Sequence, residues 1–250
     1  KKILAAASGN KSDMVTLCSA NIRGKISFAL SSIAPAGDWG DYPKGVVAEL
    51  QRKQYPIEGF DAYFLSDLPI GAGVSSSAAM EVAVCYLLQA LFHFSIPPRT
   101  SAFLCQQAEH AFSGTRCGIM DQFVSILGEK DSALFLDCRT LEYRHVPLLL
   151  DEFLLVACDS QVERGLVGSE YNRRRKECEE GVALLSQQFS HVQALRDVSL
   201  RQLESVSHLM DETVYRRCRH VVTENARVLS AAADIENRNW KDLGKLMNQS

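Results

Sequence analysis

The stretch Pro69-Ile-Gly-Ala-Gly-Val-Ser-Ser-Ser-Ala-Ala79 decides how the rest of the chain is read. It joins Gly59 to Ser66, which alternates like a strand, to Ser76 through about Phe92, a run apolar nearly all round that marks a buried helix. Glycines between them let main-chain N–H groups approach an anion closely. The start of a helix leaves about four such groups without intrahelical acceptors, with a partial positive charge behind them. The serine hydroxyls can donate to phosphate oxygens or ligate Mg2+. The plainer reading is a turn shaped by Gly71 and Gly73, with Ser75 capping the helix. On the loop alone the two readings stand level. No Gly-Lys-Ser/Thr closes the stretch, so it is not a Walker A loop, and a nucleotide site here would be of another type.

Around this loop the pattern predicts strands over 14–20 and 26–32 and a helix over 41–53. Pro97-Pro98 ends the buried helix, and Thr100 or Ser101 is expected to cap a second one running to Phe112 with Gln106, Gln107, Glu109 and His110 on it. A third helix is expected between Gly118 and Gly128, then a hairpin of strands over 133–137 and 143–148. A composition shift at Pro147 to Glu152 places a domain boundary there, giving domains over 1–148 and 149–250. Beyond it a strand over 153–159 leads to helices from near Ser169, over 211–235 and over 239–247. Arg173-Arg-Arg-Lys176 reads as a solvated face, because Glu177, Glu179 and Glu180 lie one turn on.

With 250 residues, 46% hydrophobic and 23% charged, the chain has ordinary globular composition and enough length to bury roughly 70–75% of its unfolded surface. A net charge of −3 and a pI near 6.1 give no bulk attraction to nucleic acid or to an anionic membrane. The eight cysteines include no Cys-x-x-Cys pair. Most are expected to be buried thiols, Cys85 and Cys105 on helices and Cys158 at the end of a strand. With no secretory signal and no run of about 20 apolar residues, a cytoplasmic location is expected. The chain opens on Lys1 rather than methionine, so its original N-terminus is expected to be absent.

Phosphoryl transfer needs the phosphates held, their charge offset by metal, and an acceptor hydroxyl aligned in line. Residues 71–77 can do the holding. Ser77, in the first turn of its helix, can offer a hydroxyl to Mg2+, and Glu109 is the candidate carboxylate ligand. Glu109 sits in an otherwise apolar helix, so if it is buried it requires a partner; read alone it would be an exposed helix-surface glutamate. Asp121 is expected in a first helical turn, where the helix dipole favours its ionised form; read alone it caps that turn. Tyr171, near a helix start, could bond a polyhydroxyl ligand or simply pack.

Several of these residues lie in stretches that match a known family. Pro69 to Ala79 resembles the central motif of the GHMP small-molecule kinases. Within that family, Gln107-Ala-Glu-His110, Cys117-Gly-Ile-Met-Asp-Gln-Phe123, Leu136-Asp-Cys-Arg-Thr-Leu-Glu142, Leu166-Val-Gly-Ser-Glu-Tyr-Asn-Arg-Arg174, Leu195-Arg-Asp-Val198 and Arg219-His-Val-Val-Thr-Glu-Asn225 resemble the galactokinases. The resemblance implies an α+β, two-domain architecture: an N-terminal half in the ribosomal S5 domain 2-like style and a helix-rich second half, with the active site between them. It also implies ATP-dependent phosphorylation of galactose at the anomeric hydroxyl. In that reading Gly71, Ala72, Gly73, Val74, Ser75, Ser76 and Ser77 bind ATP phosphates, Trp39 and Tyr42 line the adenine pocket, and Ser77 and Glu109 hold Mg2+. Asp121 serves as catalytic base or orients the hydroxyl, and Gly118, Asp121 and Tyr171 contact the sugar of a monomeric enzyme.

Two family motifs have no counterpart here. Nothing matches the N-terminal Pro-Gly-Arg-Val-Asn-Leu-Ile-Gly-Glu-His-Thr-Asp segment, which supplies an arginine beside the base and most sugar contacts, and the chain stops at Ser250 before a Gly-Gly-Gly-Phe-Gly-Gly-Cys loop. Asp159-Ser-Gln161 replaces the usual Asn-Ser-Asn, and Glu163 stands where a basic residue is common. The chain is therefore expected to be the central part of a galactokinase. The alternatives are a kinase for N-acetylgalactosamine or arabinose, a sensor that binds sugar and ATP without turnover, or a product of a truncated gene. The 250 residues alone are expected to show little or no kinase activity; turnover of ATP and galactose by the purified chain near the rate of an intact enzyme would overturn this.

Overall fold

The computed structural model describes residues 1–69, 71, 73–150, 152–158 and 167–250, and of residues 167–169 the backbone alone. Along the described chain the elements run β1 (Ile3–Gly9), β2 (Met14–Ser19), β3 (Lys25–Ala29), α1 (Asp41–Arg52), β4 (Phe60–Ser66), α2 (Ser76–Leu91), α3 (Pro98–Phe112) and α4 (Met120–Leu127). They continue with β5 (Ser132–Leu136), β6 (Tyr143–Pro147), α5 (Val167–Gln188), α6 (Leu200–Ser205), α7 (Glu212–Glu236) and α8 (Trp240–Gln249). This is the α+β architecture that the resemblance implies. By packing, the chain forms two units: one chiefly of residues 1–128, the other of 129–137, 142–156 and 169–250.

In the first unit β4 organises a four-stranded sheet of order β1-β4-β2-β3. Its alternation sends Phe60, Ala62 and Phe64 into the core and Asp61, Tyr63 and Leu65 outward, as a strand with one covered face must. It runs antiparallel to β1 and parallel to β2, which pairs in turn with β3. Val15 and Leu17 of β2 join the same face, and onto it pack Val46, Val47 and Leu50 of α1, Val84, Cys85 and Leu88 of α2, and Leu104, Cys105 and Ala108 of α3. Each large apolar side chain buried in this way contributes about 1.5–3 kcal/mol. β4 thus delivers the chain to the glycine-serine loop, and α2 leaves it through the centre of the core. The short α4 packs on both α2 and α3.

The second unit is a β5–β6 hairpin with helices around its own core of Leu185, Val192, Leu195, Leu203, Val214, Cys218 and Val222. Asp211 caps α7 by accepting from the Thr213 N–H at 2.8 Å. The charged face of α5 is self-paired, Arg173 with Glu170 and Glu177 and Arg175 with Glu179, and Arg217 of α7 reaches Glu177 at 2.8 Å. That is the solvated face expected of it.

Three local expectations change. Helix α3 begins at Pro98 rather than under a Thr100 or Ser101 cap, because proline's preset φ and missing N–H suit a first helical position. Residues 153–158 form no strand; Leu154 and Val156 stand exposed with no ladder partner among the described residues, and Asp159 lies outside them. Cys158 is accordingly exposed, as is Cys138, and only Cys85, Cys105 and Cys218 are fully buried among eight free thiols. The differences at Gln161 and Glu163 also lie outside the described residues.

Helices α1 and α3 meet at Gly45, where an added Cβ would stand 2.9 Å from the Ala108 carbonyl oxygen. A backbone atom cannot give way as a side-chain tip can. We expect Gly45→Ala to destabilise the first unit by about 1–2 kcal/mol, because overpacking costs about 1–3 kcal/mol and outweighs the gain of under about 1 kcal/mol in helix propensity. Urea unfolding checks this, and a higher midpoint for the variant would refute the close packing.

Candidate active site

Among the described residues of the loop, three adopt left-handed backbone: Gly71 (φ +78°), Gly73 (φ +75°) and Ser75 (φ +56°). Ala72 lies outside the described residues. Ser75 does not cap α2 through its side chain, against expectation, because a capping residue needs extended rather than left-handed backbone. The first-turn amides of α2 are thereby left without a side-chain acceptor at the N-cap. Gly71, Gly73 and Val74 are exposed, and Ser75, Ser76 and Ser77 are half-buried at the head of the helix. The described loop residues thus lie at the surface while the helix that follows is anchored in the core.

Ser77 then faces α3. Its hydroxyl donates to Glu109 Oε1 at 3.3 Å, and Glu109 is only 9% exposed, which overturns the reading of an exposed surface glutamate. The required partners are present. Glu109 Oε2 accepts from Gln122 Nε2 at 2.9 Å and from the Cys117 thiol at 3.3 Å. The segment carrying Cys117 is tethered to α3, since its carbonyl accepts from Gln106 Nε2 at 3.1 Å and lies 2.9 Å from His110 Nε2. Burial, and then the charge of Glu109, push the Cys117 thiol well up, so it stays protonated as a donor.

One turn beyond Ser77, Glu81 is fully buried, and its Oε2 accepts the Gln122 amide at 3.2 Å. Burial, reinforced by the nearby charges of Glu109 and Asp121, holds its carboxyl well above the usual range despite the Gln122 hydrogen bond. The Tyr42 phenol on α1 is raised by burial and then by Glu109, Glu81 and Asp41. Asp121 is half-buried in the first turn of α4, beside Gln122. Gly118, just before α4, is exposed.

Trp39 is half-buried against the core of the first unit, in a segment pinned by Asp41. The Asp41 carboxylate accepts from the N–H groups of Ala36 (2.8 Å) and Gly37 (2.7 Å) and pairs with buried Lys44 at 3.1 Å. Burial raises its pKa, but these hydrogen bonds outweigh it and hold the carboxyl below its ordinary range. Tyr171 is 43% exposed on α5 of the second unit. The structure therefore gathers Ser77, Glu109 and, through Gln122 and Glu81, the start of α4 into one polar cluster.

Glu81, Gln122 and Cys117 went unassigned in the sequence reading. The signal for Glu81 is a lone carboxylate four residues after Ser77 in a helix otherwise apolar all round. Gln122 and Cys117 lie in the quoted stretch Cys117 to Phe123, but nothing in it marks either as a partner for Glu109. No three His, Cys, Asp or Glu side chains gather to hold a metal among the described residues. A cation here would rest on the Ser77 hydroxyl and the Glu109 carboxylate, hard oxygen donors that suit Mg2+, an ion that usually takes one or two protein ligands and fills its shell with water and phosphate. No described helix is long and apolar enough to cross a membrane.

Comparison with known proteins adds three findings. Residues 41–129 match the GHMP kinases N terminal domain. The chain is 42% identical over 238 residues to a galactokinase of Roseiflexus sp. (strain RS-1), covering 95% of this chain and 61% of that protein, and 41% identical over 244 residues to one of Chloroflexus aurantiacus, covering 97% and 62%. The crystal structure of Lactococcus lactis galactokinase complexed with galactose superposes with a TM-score of 0.89 at 30% identity, covering 100% of this chain and 66% of that one. The chain thus spans about three fifths of the length of the curated relatives it matches.

The Glu81 carboxyl has a testable pH signature. Above the ordinary value of 4.5 and below its raised native value, the folded state keeps a proton that the unfolded state has released, so stability falls as pH rises through that window. Glu81→Gln has no such proton. Relative to the unmodified chain it should gain stability from pH 5 towards pH 8, by up to about 1.4 kcal/mol per pH unit inside the window. Parallel urea-unfolding series across pH measure the difference, and identical slopes would mean that Glu81 is ionised in the fold.

Proposed function

We propose, from the premise that this chain belongs to the GHMP kinases and carries their N-terminal domain, that its site is that of a galactokinase, transferring the terminal phosphoryl group of ATP to the anomeric hydroxyl of galactose. The observation that carries this reading is the Ser77–Glu109 contact: a helix-start hydroxyl and a buried carboxylate, on different helices, meet directly behind a glycine-serine loop. Neither residue needs the other for packing. Together they supply two hard oxygens where the phosphates of a nucleotide held by the loop would end.

In this reading the N–H groups and hydroxyls of residues 71–77, Ala72 and Val74 among them, hold the phosphates, and Ser77 and Glu109 hold Mg2+. The ion, when bound, offsets phosphate charge during transfer. Trp39 and Tyr42 form the adenine side, with the Asp41–Lys44 pair fixing the segment on which Trp39 stands. Asp121 receives or orients the acceptor hydroxyl proton, the task a carboxylate performs in phosphoryl transfer to an alcohol. Gly118 and Tyr171 contact the sugar. The protein works as a cytoplasmic monomer, with its first domain ending near Leu148.

Calorimetry of the chain with Mg-ATP tests the cradle. Gly73→Asp places a carboxylate, and a side chain at φ +75°, where the phosphates would lie. We expect the binding heat to disappear; retained affinity would remove the loop from the mechanism.

A further inference from the structure

We propose that Gln122, backed by Glu81, is a positioning residue that fixes the plane of the Glu109 carboxylate so that the oxygen beside Ser77 faces the divalent cation. The inference rests on the kinase reading above. A carboxylate offers about four lone-pair sites on its two oxygens. At Glu109 Oε2 two are taken, by Gln122 Nε2 at 2.9 Å and the Cys117 thiol at 3.3 Å. At Oε1 one donor is found, the Ser77 hydroxyl at 3.3 Å. The oxygen left with open capacity is therefore the one beside Ser77, the other candidate ligand. The two oxygens are equivalent, so a half-turn changes nothing, but a carboxylate free to rotate would spend part of its time with its plane turned so that neither oxygen stands beside Ser77.

The Gln122 amide is itself constrained. It is fully buried, and its second N–H goes to Glu81 Oε2 at 3.2 Å, so a single nitrogen bridges two carboxyl groups on different helices. Glu81 Oε1 and Gln122 Oε1 are buried with no hydrogen-bond partner. Two orphan acceptors on side chains joined by a hydrogen bond favour a proton on Glu81, which converts one of them into a donor. A neutral Glu81 can accept from Gln122 without competing with Glu109 for the cation. Glu81 thus orients the amide, the amide orients Glu109, and of these three only Glu109 meets the ion. Outer residues of this kind typically change metal affinity by about 10–100-fold when removed.

The test uses the 250-residue chain with ATP, reading Mn2+ affinity by electron paramagnetic resonance and ATP affinity in EDTA by calorimetry. Gln122→Met, which keeps volume and removes both donors, should weaken Mn2+ binding in the ATP complex about tenfold and leave metal-free ATP binding unchanged. Glu81→Met should do the same, whereas Glu81→Gln, which keeps the acceptor, should match the unmodified chain. If Gln122→Met fails to fold, the Glu81→Met and Glu81→Gln pair decides alone. Unchanged Mn2+ affinity in Gln122→Met and Glu81→Met, or an equal loss of metal-free ATP binding, overturns the positioning role while the kinase reading stands. An unmodified chain that binds ATP with no effect of Mn2+ overturns the metal assignment and this inference with it, and one that binds no ATP overturns the site itself.

Discussion

Two carboxyl groups, Glu81 and Glu109, are buried between three helices of one small unit, and the structure around the candidate site follows from accommodating them. A buried carboxylate is tolerated only when its charge is answered by hydrogen bonds, by a counter-charge or by a proton. No cationic side chain answers this pair among the hydrogen bonds and ion pairs described. Glu109 is answered by three donors, from Ser77, Cys117 and Gln122, drawn from three different segments of chain. Glu81 is answered by one amide and a raised proton affinity. The cost is one that a purely structural core would avoid by using apolar residues, and a cation-binding function would give a reason for it.

The scaffold holds this arrangement through apolar packing rather than through the polar groups themselves. β4 seats three inward residues on the core, and α2 leaves the loop with Ala78, Val82, Val84, Cys85 and Leu88 buried along its length. The hydroxyl of Ser77 is therefore carried on a rigid rod. α3 is fixed against α1 by the close approach at Gly45, one residue from where Glu109 leaves the helix towards Ser77. α4 is only eight residues long, yet it buries Gln122 and Phe123 completely, and so brings an amide and the neighbouring Asp121 to the same corner. Hydrophobic burial supplies the stability, and the polar cluster spends a part of it on a definite geometry.

Much of this was legible from residue order alone. The loop of glycines and serines, the strand before it and the apolar helix after it fall within a residue or two of where the pattern puts them, because local chemistry decides them: glycine at positive φ, period two against period 3.6, proline and glycine at helix ends. Glu109 was selected as a carboxylate in need of a partner, and the partner exists. β1 was not foreseen, since Ile-Leu-Ala-Ala-Ala-Ser-Gly has little strand preference of its own and becomes a strand through its ladder with β4. The expected strand after residue 152 failed for the complementary reason, an apolar sequence without a described neighbour to pair with.

What the sequence determined by itself is most of the helices and strands and the resemblance to a family, because these reside in short runs of residues whose backbone preferences and motif spacings need no distant partner. What only the tertiary structure decided is which polar side chains are taken out of water together. Glu81, Cys117, Gln122 and Ser77 are separated by up to forty-five positions, and nothing in their local surroundings says that they meet. They become a site because α2, α3 and α4 converge on one point. There the dielectric is low enough for hydrogen bonds from Ser77, Cys117 and Gln122 to act strongly on the Glu109 carboxylate.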